Sequence, residues 1–308
     1  MKRIFLSLFP VLLGPFLGQA QEESPAVDAW FADYNEAVAE AKASQRDLLI
    51  VFTGTDWIEI CQIFYDEILS APEFIDSASK AFVLLKLEYP KNNRLPREEA
   101  IQKQLLRDAY RVRGFPTVVY TTADGVPYGI NGYQPVTPEK YAEVSVLVHA
   151  AGKARREIAA EAESLEGLEK AEKLVESIPD LPGNLIARYY REALEEILDL
   201  DPEDTLGRQR EYTGLIGDVE YANRMQALSR ESRWSEMIGL TDEYIERFEL
   251  EGPPLQKALL NKAGVQRRQD NAVGMIETLL AIVKVDPESS YGVEAQKQLD
   301  TLRADRLT

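Results

Sequence analysis

Asp47-Leu-Leu-Ile-Val-Phe-Thr-Gly-Thr-Asp-Trp-Ile-Glu-Ile-Cys61 is the stretch on which the fold turns. Asp47 to Phe52 is a short apolar run that reads as a buried strand. After Cys61 the apolar residues fall at Ile63, Phe64, Ile68 and Leu69, and with Ile60 they make helix spacing over about 58–70. The link between strand and helix carries Trp57. Cys61 then lies about one turn into the helix.

Working outward, residues 28–44 place Trp30, Phe31, Tyr34, Ala37, Val38 and Ala41 at helix spacing. Ala71-Pro72-Glu73-Phe74 starts a short new helical turn, and residues 81–88 form a second apolar strand. A loop follows over Pro90–Pro96. A helix over 97–112 has Ile101, Leu105, Leu106, Ala109 and Tyr110 on one face. Val118-Val119-Tyr120 is a third strand, and Ala123-Asp124-Gly125 is a hairpin turn into a strand near Val126–Ile130. Thr137-Pro138 reads as an N-cap with proline at the first helical position. The resulting order is α-β-α-β-α-β-β-α.

From about residue 150 strand signals vanish and helix formers dominate. Breaks fall at Pro179–Gly183, Asp201-Pro202, Gly252-Pro253-Pro254 and Asp286-Pro287. The segment from Ile197 to Gly207 resembles that from Ile282 to Gly292, with Ile, Asp, Pro, Glu and Gly at matching places. Chance is one reading, since Asp-Pro-Glu commonly stops one helix and starts another. The other is a stack of helical hairpins of tetratricopeptide type. The expected architecture is an α/β domain over 21–150 followed by an all-α, repeat-like domain over 151–308.

The chain has 308 residues, one cysteine, one histidine and a formal net charge of −17. Lys2-Arg3, an apolar run from Ile4 to Leu17 broken by Pro10, Gly14 and Pro15, and Gly18-Gln19-Ala20 together read as a cleavable signal peptide over 1–20, cut after Ala20. The run is shorter than the roughly 20 residues that span a bilayer. A periplasmic or secreted location follows, without stable membrane insertion. The acidity disfavours nucleic acid as a partner, because that binding depends on neutralising phosphates. One cysteine forbids an internal disulfide, and one His with one Cys builds no His/Cys metal cluster. No metal and no cofactor are expected. His149 falls in a helical run and reads as a packed or solvated helix residue.

Residues 28–148 resemble the thioredoxin superfamily, and within it exported proteins carrying a motif of the form F-T-G-S-D-W-C-x-x-C. Three features carry the resemblance. They are Phe52-Thr-Gly-Thr-Asp-Trp57, Cys61 at the position of the second cysteine, and Gly114-Phe115-Pro116-Thr117 where the family has its cis-proline. The resemblance implies that the attacking thiolate would stand at a helix N-terminus, whose dipole favours it, with the second cysteine resolving the mixed disulfide. Ile58 occupies the attacking position and has no nucleophile. Glu59 adds negative charge beside it. The degenerate motif is therefore Trp57-Ile58-Glu59-Ile60-Cys61, and a dithiol cycle is absent because one cysteine cannot close one.

Two questions stay open at the level of sequence. Cys61, beside the apolar Ile58, Ile60 and Phe64, is either a small core residue or a single thiol that forms a mixed disulfide. Trp57, Ile58, Phe115 and Pro116 either make an exposed apolar patch or, for the two aromatics, pack on each other. The resemblance implies a peptide groove over Trp57, Phe115, Pro116 and Thr117. The function expected is a redox-inactive module that binds a protein or peptide, through that groove or the helical tail. The alternative is a monothiol oxidoreductase or isomerase using Cys61. Tyr189, Tyr190, Tyr212, Tyr221, Trp234, Tyr244 and Tyr291 supply aromatics in the tail, mostly as packing residues.

Overall fold

The computed structural model describes residues 29–304. The signal-peptide reading of residues 1–20 lies outside them. β1 (Trp30–Phe31), α1 (Tyr34–Ser44) and β2 (Asp47–Thr53) come first. α2 (Glu59–Phe64) continues into a π-helical turn (Tyr65–Leu69), closed by the Ser70 amide donating to the Tyr65 carbonyl. α3 (Pro72–Ala78), β3 (Phe82–Glu88), α4 (Arg97–Ala109), β4 (Thr117–Thr121), β5 (Pro127–Asn131) and α5 (Pro138–Ala162) complete the α/β part.

The five strands form one sheet in the order β1-β3-β2-β4-β5. β1, β3 and β2 run parallel, while β4 and β5 are antiparallel to their neighbours. Every residue of β2 is buried. That is why its sequence shows no alternation, since helices cover both faces of the sheet. Leu49 and Val51 pack with Phe64, Phe74, Tyr120 and Tyr141 on one side. Leu48, Ile50 and Phe52 pack with Ala37, Leu106 and Tyr110 on the other.

Two expectations are corrected here. Trp30 and Phe31 are not helical. They pair with Leu84 and Leu85 of β3, and the Trp30 indole stacks on Phe74. Asp33 starts α1 instead, its carboxylate accepting from the Asn35 and Glu36 amides. α4 is also turned relative to the expected face. Ile101 and Leu105 are 50% and 64% exposed, while Lys103, Leu106 and Tyr110 are buried. The Lys103 ammonium donates to the Glu88 carbonyl at 2.9 Å and pairs with Glu99 at 2.7 Å. Tyr89 Oη also donates to the Lys103 carbonyl at 2.7 Å. These bonds fix the rotation of α4 against the end of β3.

α5 is capped by Thr137, whose hydroxyl accepts from the Lys140 amide, with Pro138 in the first turn. It passes without a break through residue 150 and ends at Ala162. The rest is helical: α6 (Gly167–Ser177), α7 (Gly183–Tyr189), α8 (Arg191–Leu200), α9 (Gln209–Arg230), α10 (Trp234–Arg247), α11 (Gly252–Arg268), α12 (Ala272–Val285) and α13 (Ser290–Ala304). From α8 onward each helix packs on the next. One core gathers Ala162, Leu174, Leu194, Ile197 and Tyr212, and a second gathers Ala263, Met275, Leu279, Ile282 and Leu299.

The two similar Asp-Pro segments fold differently. The Asp201 carboxylate accepts from the Thr205 and Leu206 amides, Asp204 takes a left-handed backbone, and helix resumes only at Gln209. Asp286 accepts from the Glu288 and Ser289 amides, and helix resumes at Ser290. The tail meets the sheet domain through two aromatics. Tyr189 stacks on Tyr110 at 5.9 Å, and the Tyr190 hydroxyl donates to the Pro127 carbonyl at 2.9 Å.

Candidate functional site

The turn after β2 is bonded to the end of β3. The Trp57 and Ile58 amides donate to the Gly54 carbonyl at 3.3 and 2.9 Å. The Thr55 amide and hydroxyl donate to the Glu88 carboxylate at 2.6 and 3.0 Å. Asp56 accepts from the Lys91 and Asn92 amides. The Trp57 indole N–H donates to the Tyr89 carbonyl at 2.9 Å. A Cβ on Gly54 would stand about 2.5 Å from that indole nitrogen, so a glycine is needed for the ring to lie where it does.

Ile58 is the N-cap of α2 in an extended backbone conformation, and its side chain makes no capping hydrogen bond. A Ser, Thr or Asp there would accept from the first-turn amides, and isoleucine cannot. The Cys61 and Gln62 amides reach back to the Ile58 carbonyl. Glu59 is exposed, and Ile60 is half-buried. Cys61 is 1% exposed, so its sulfur is closed off from solvent. The core reading of this residue is the one the structure favours.

Gly114-Phe115-Pro116-Thr117 leads into β4, where Thr117 pairs with Phe52. The Phe115–Pro116 peptide is cis. Thr117 Oγ1 donates to the Gly114 carbonyl at 2.8 Å and closes the turn. Phe115 stacks on Tyr89 at 4.9 Å and meets Trp57 edge to face at 6.3 Å. Trp57 nonetheless remains 46% exposed. The aromatics thus pack on each other and also present a surface.

Tyr89, not singled out from the sequence, is the centre of this arrangement. Its carbonyl holds the indole, its ring supports Phe115, and it stacks on Phe52 at 6.1 Å. Burial pushes its hydroxyl well above the ordinary range, opposed by the Arg107 guanidinium, so it acts as a neutral donor. An aromatic before Pro90 at the end of the second apolar strand was the available signal.

His149 lies elsewhere. Its Nε2 is 3.5 Å from Asp47, the first residue of β2, and its ring packs against Phe82. Seven strand residues separate that end from the Trp57 turn, about 20 Å of rise. No Cys–His pair forms. Asp47 also accepts from the Tyr128 hydroxyl at 2.8 Å and from Arg156 at 3.0 Å. Among the described residues no group of His, Cys, Asp and Glu is arranged to hold a metal ion. No helix among them is long and apolar enough to cross a membrane.

In the tail, Tyr212 is buried, Tyr221 stacks on Tyr244, and Tyr291 packs against the last core. Trp234 lies under the Arg268 guanidinium.

A family model described as thioredoxin-like matches residues 29–123. The chain is 30% identical over 110 residues to the disulfide bond reductase DsbH of Chlamydia pneumoniae, covering 36% of this chain and 66% of that protein. It is 29% identical over 119 residues to the thioredoxin-related protein DsbJ of the same organism, covering 38% and 34%. Each match therefore spans less than two thirds of the relative's own length. Among solved structures, a DsbH oxidoreductase matches with a TM-score of 0.39 and 28% identity over 44% of this chain and 94% of that one. A thioredoxin from Thermus thermophilus matches with a TM-score of 0.30 and 21% identity over 39% and 85%.

Proposed function

We propose that the chain, whose residues 29–123 match a thioredoxin-like family model, is an exported, redox-inactive member of the thioredoxin superfamily that binds an extended protein segment. One observation carries this reading. Ile58 stands at the cap of α2 where the resemblance calls for a nucleophile, and Cys61 one turn on is buried. Thiol–disulfide exchange requires an accessible thiolate to attack and an accessible sulfur to be attacked. Ile58 supplies neither, and Cys61 is shielded. The exposed Trp57, the Phe115 ring and the turn before β4 keep the shape of a recognition surface. Exposed apolar surface held in place by a hydrogen-bonded scaffold is the ordinary form of a peptide site.

The signal-like segment before residue 21 supports export, and N-terminal sequencing of the periplasmic protein is expected to begin at Gln21. Pull-down from that fraction with the unmodified chain and with Phe115→Ala tests the binding. Loss of captured partners in Phe115→Ala supports the groove. Equal capture by both proteins sinks it and moves recognition to the tail. The DsbH relative, described as a disulfide bond reductase, motivates the rival reading of a monothiol enzyme. That reading requires Cys61 to be reached by a substrate sulfur.

A further inference from the structure

The chain is strongly acidic, yet the segment from Lys91 to Arg113 holds seven basic residues against three acidic ones. Lys103 is tied into α4, as described. The other six are Lys91, Arg94, Arg97, Arg107, Arg111 and Arg113. Among the described residues none of the six forms an ion pair, whereas most cations of α5, α6 and α8 do. Two of the six stand directly on the aromatic surface. The Lys91 ammonium is 5.7 Å from the Trp57 ring centre, and the Arg107 guanidinium is 5.2 Å from that of Phe115. Arg113 is exposed two residues before Phe115.

Most of the acids nearby are held in fixed places. Asp56 holds the Lys91 and Asn92 amides, Glu88 holds Thr55, Glu99 pairs with Lys103, and Asp108 accepts from Gln104. Glu59 and Glu98 are the exceptions, and each lies in the first turn of its helix, α2 and α4, where the helix dipole offsets its charge. The segment from Lys91 to Arg113 thus carries a surplus of four positive charges on a negative molecule, with Lys91 and Arg107 standing on the aromatics themselves.

Resting on the groove reading above, we infer that the Trp57–Phe115 surface takes an extended acidic segment of another protein, with apolar side chains on the aromatics and carboxylates facing the Lys91, Arg107 and Arg113 rim. Charge complementarity sets both specificity and the rate of encounter at such a surface. A nucleic acid would meet the same rim but would be repelled by the molecule as a whole, since the full chain has a net charge of −17.

Fluorescence anisotropy on the full chain tests this with three labelled peptides. One carries glutamates on both sides of a central phenylalanine, and the others replace the glutamates with glutamine or with lysine. The glutamate peptide is expected to bind on the order of tenfold tighter than the glutamine peptide. That advantage is expected to vanish between about 0.1 M and about 1 M salt, where the Debye length falls from about 10 Å to about 3 Å. It is also expected to vanish in the double variant Lys91→Glu/Arg113→Glu, while Phe115→Ala weakens the glutamate and glutamine peptides alike. Equal binding of the glutamate and glutamine peptides overturns the charge inference and leaves the groove standing. Binding of no peptide overturns the groove and the inference with it. Self-association of the unmodified chain in sedimentation, lost in the double variant, makes a second copy the occupant and overturns the inference in its present form.

Discussion

Trp57 and Phe115 meet edge to face, with ring centres 6.3 Å apart and planes at 85°, and Tyr89 supports both. Its carbonyl anchors the indole N–H while its ring carries the Phe115 face. The motif turn after β2 and the proline turn before β4 are thus joined through the end of β3. A binding surface built this way is preorganised, because its aromatics lose little freedom on contact with a ligand.

Phe115→Ala removes the ring that Trp57 leans on. The expected cost is about 2 kcal/mol, from a half-buried aromatic that stacks on one ring and meets another. Trp57 is expected to become more solvated. Chemical denaturation gives the first quantity, and collisional quenching of tryptophan fluorescence gives the second. An unchanged midpoint would mean that Tyr89 alone holds the indole.

Thiol chemistry separates the binding reading from the monothiol one. Alkylation of the native chain is expected to be slow at neutral pH and to speed up only on unfolding, because Cys61 is closed to solvent. Rapid labelling near pH 6 would favour the enzyme. Ile58→Cys places a pair of cysteines three apart at the start of α2 and is expected to raise disulfide reduction above that of the unmodified chain. Insulin reduction with a thiol donor measures it.

Asp47 joins β2 to α5 by accepting from the Tyr128 hydroxyl and from Arg156. Asp47→Ala leaves a buried hydroxyl and a guanidinium without their acceptor, at an expected cost of about 3 kcal/mol. His149 adds a pH dependence. Burial holds it below its ordinary value of 6.5, outweighing the nearby Asp47 carboxylate, and Arg156 and Lys153 push the same way as burial. The unfolded chain therefore takes up this proton at a higher pH than the folded one. The contribution is present above about 6.5 and is lost as pH falls below it. His149→Gln is expected to flatten the denaturation midpoint across that range.

Gly152 lies on α5 against the face of the Tyr128 ring, and a Cβ there would fall inside van der Waals contact. Gly→Ala in a helix normally gains up to about 1 kcal/mol. Here the sign is expected to reverse, with Gly152→Ala destabilising by about 1–3 kcal/mol through overpacking of Tyr128. Thermal denaturation of the variant checks the sign.

The strands, the hairpin and the capped start of α5 were legible because their signals are local: apolar runs, Asp-Gly and Thr-Pro. Trp30 and Phe31 were misread because the helical period of α1 extends by coincidence into a two-residue strand. That strand exists only through its long-range pairing with β3. The face of α4 was misread for a different reason. Lys103 looks like a surface residue, and only the Glu88 carbonyl at the far end of β3 turns it inward. The π-helical turn after α2 left no pattern distinct from ordinary helix. At the site, the places of Ile58 and Cys61 were readable through the resemblance to the thioredoxin motif. Tyr89 was not, because its role comes from where β3 ends relative to two other turns.

α5 carries a consequence for how the two halves of this chain can be handled and inherited. Its 25 residues span about 37 Å as one uninterrupted rod. Its first turns cover the sheet and its last residue, Ala162, belongs to the core of the tail. A cut at 150 would sever that rod in mid-turn and strip Gly152 from Tyr128. The first articulation after the sheet domain lies between Ala162 and Gly167. A tail grafted from another protein would have to bring its own continuation of this helix, in phase, to sit correctly. The thioredoxin-like unit is thus a bracket with a fixed arm, and the direction of that arm is set by residues remote from the Trp57–Phe115 surface.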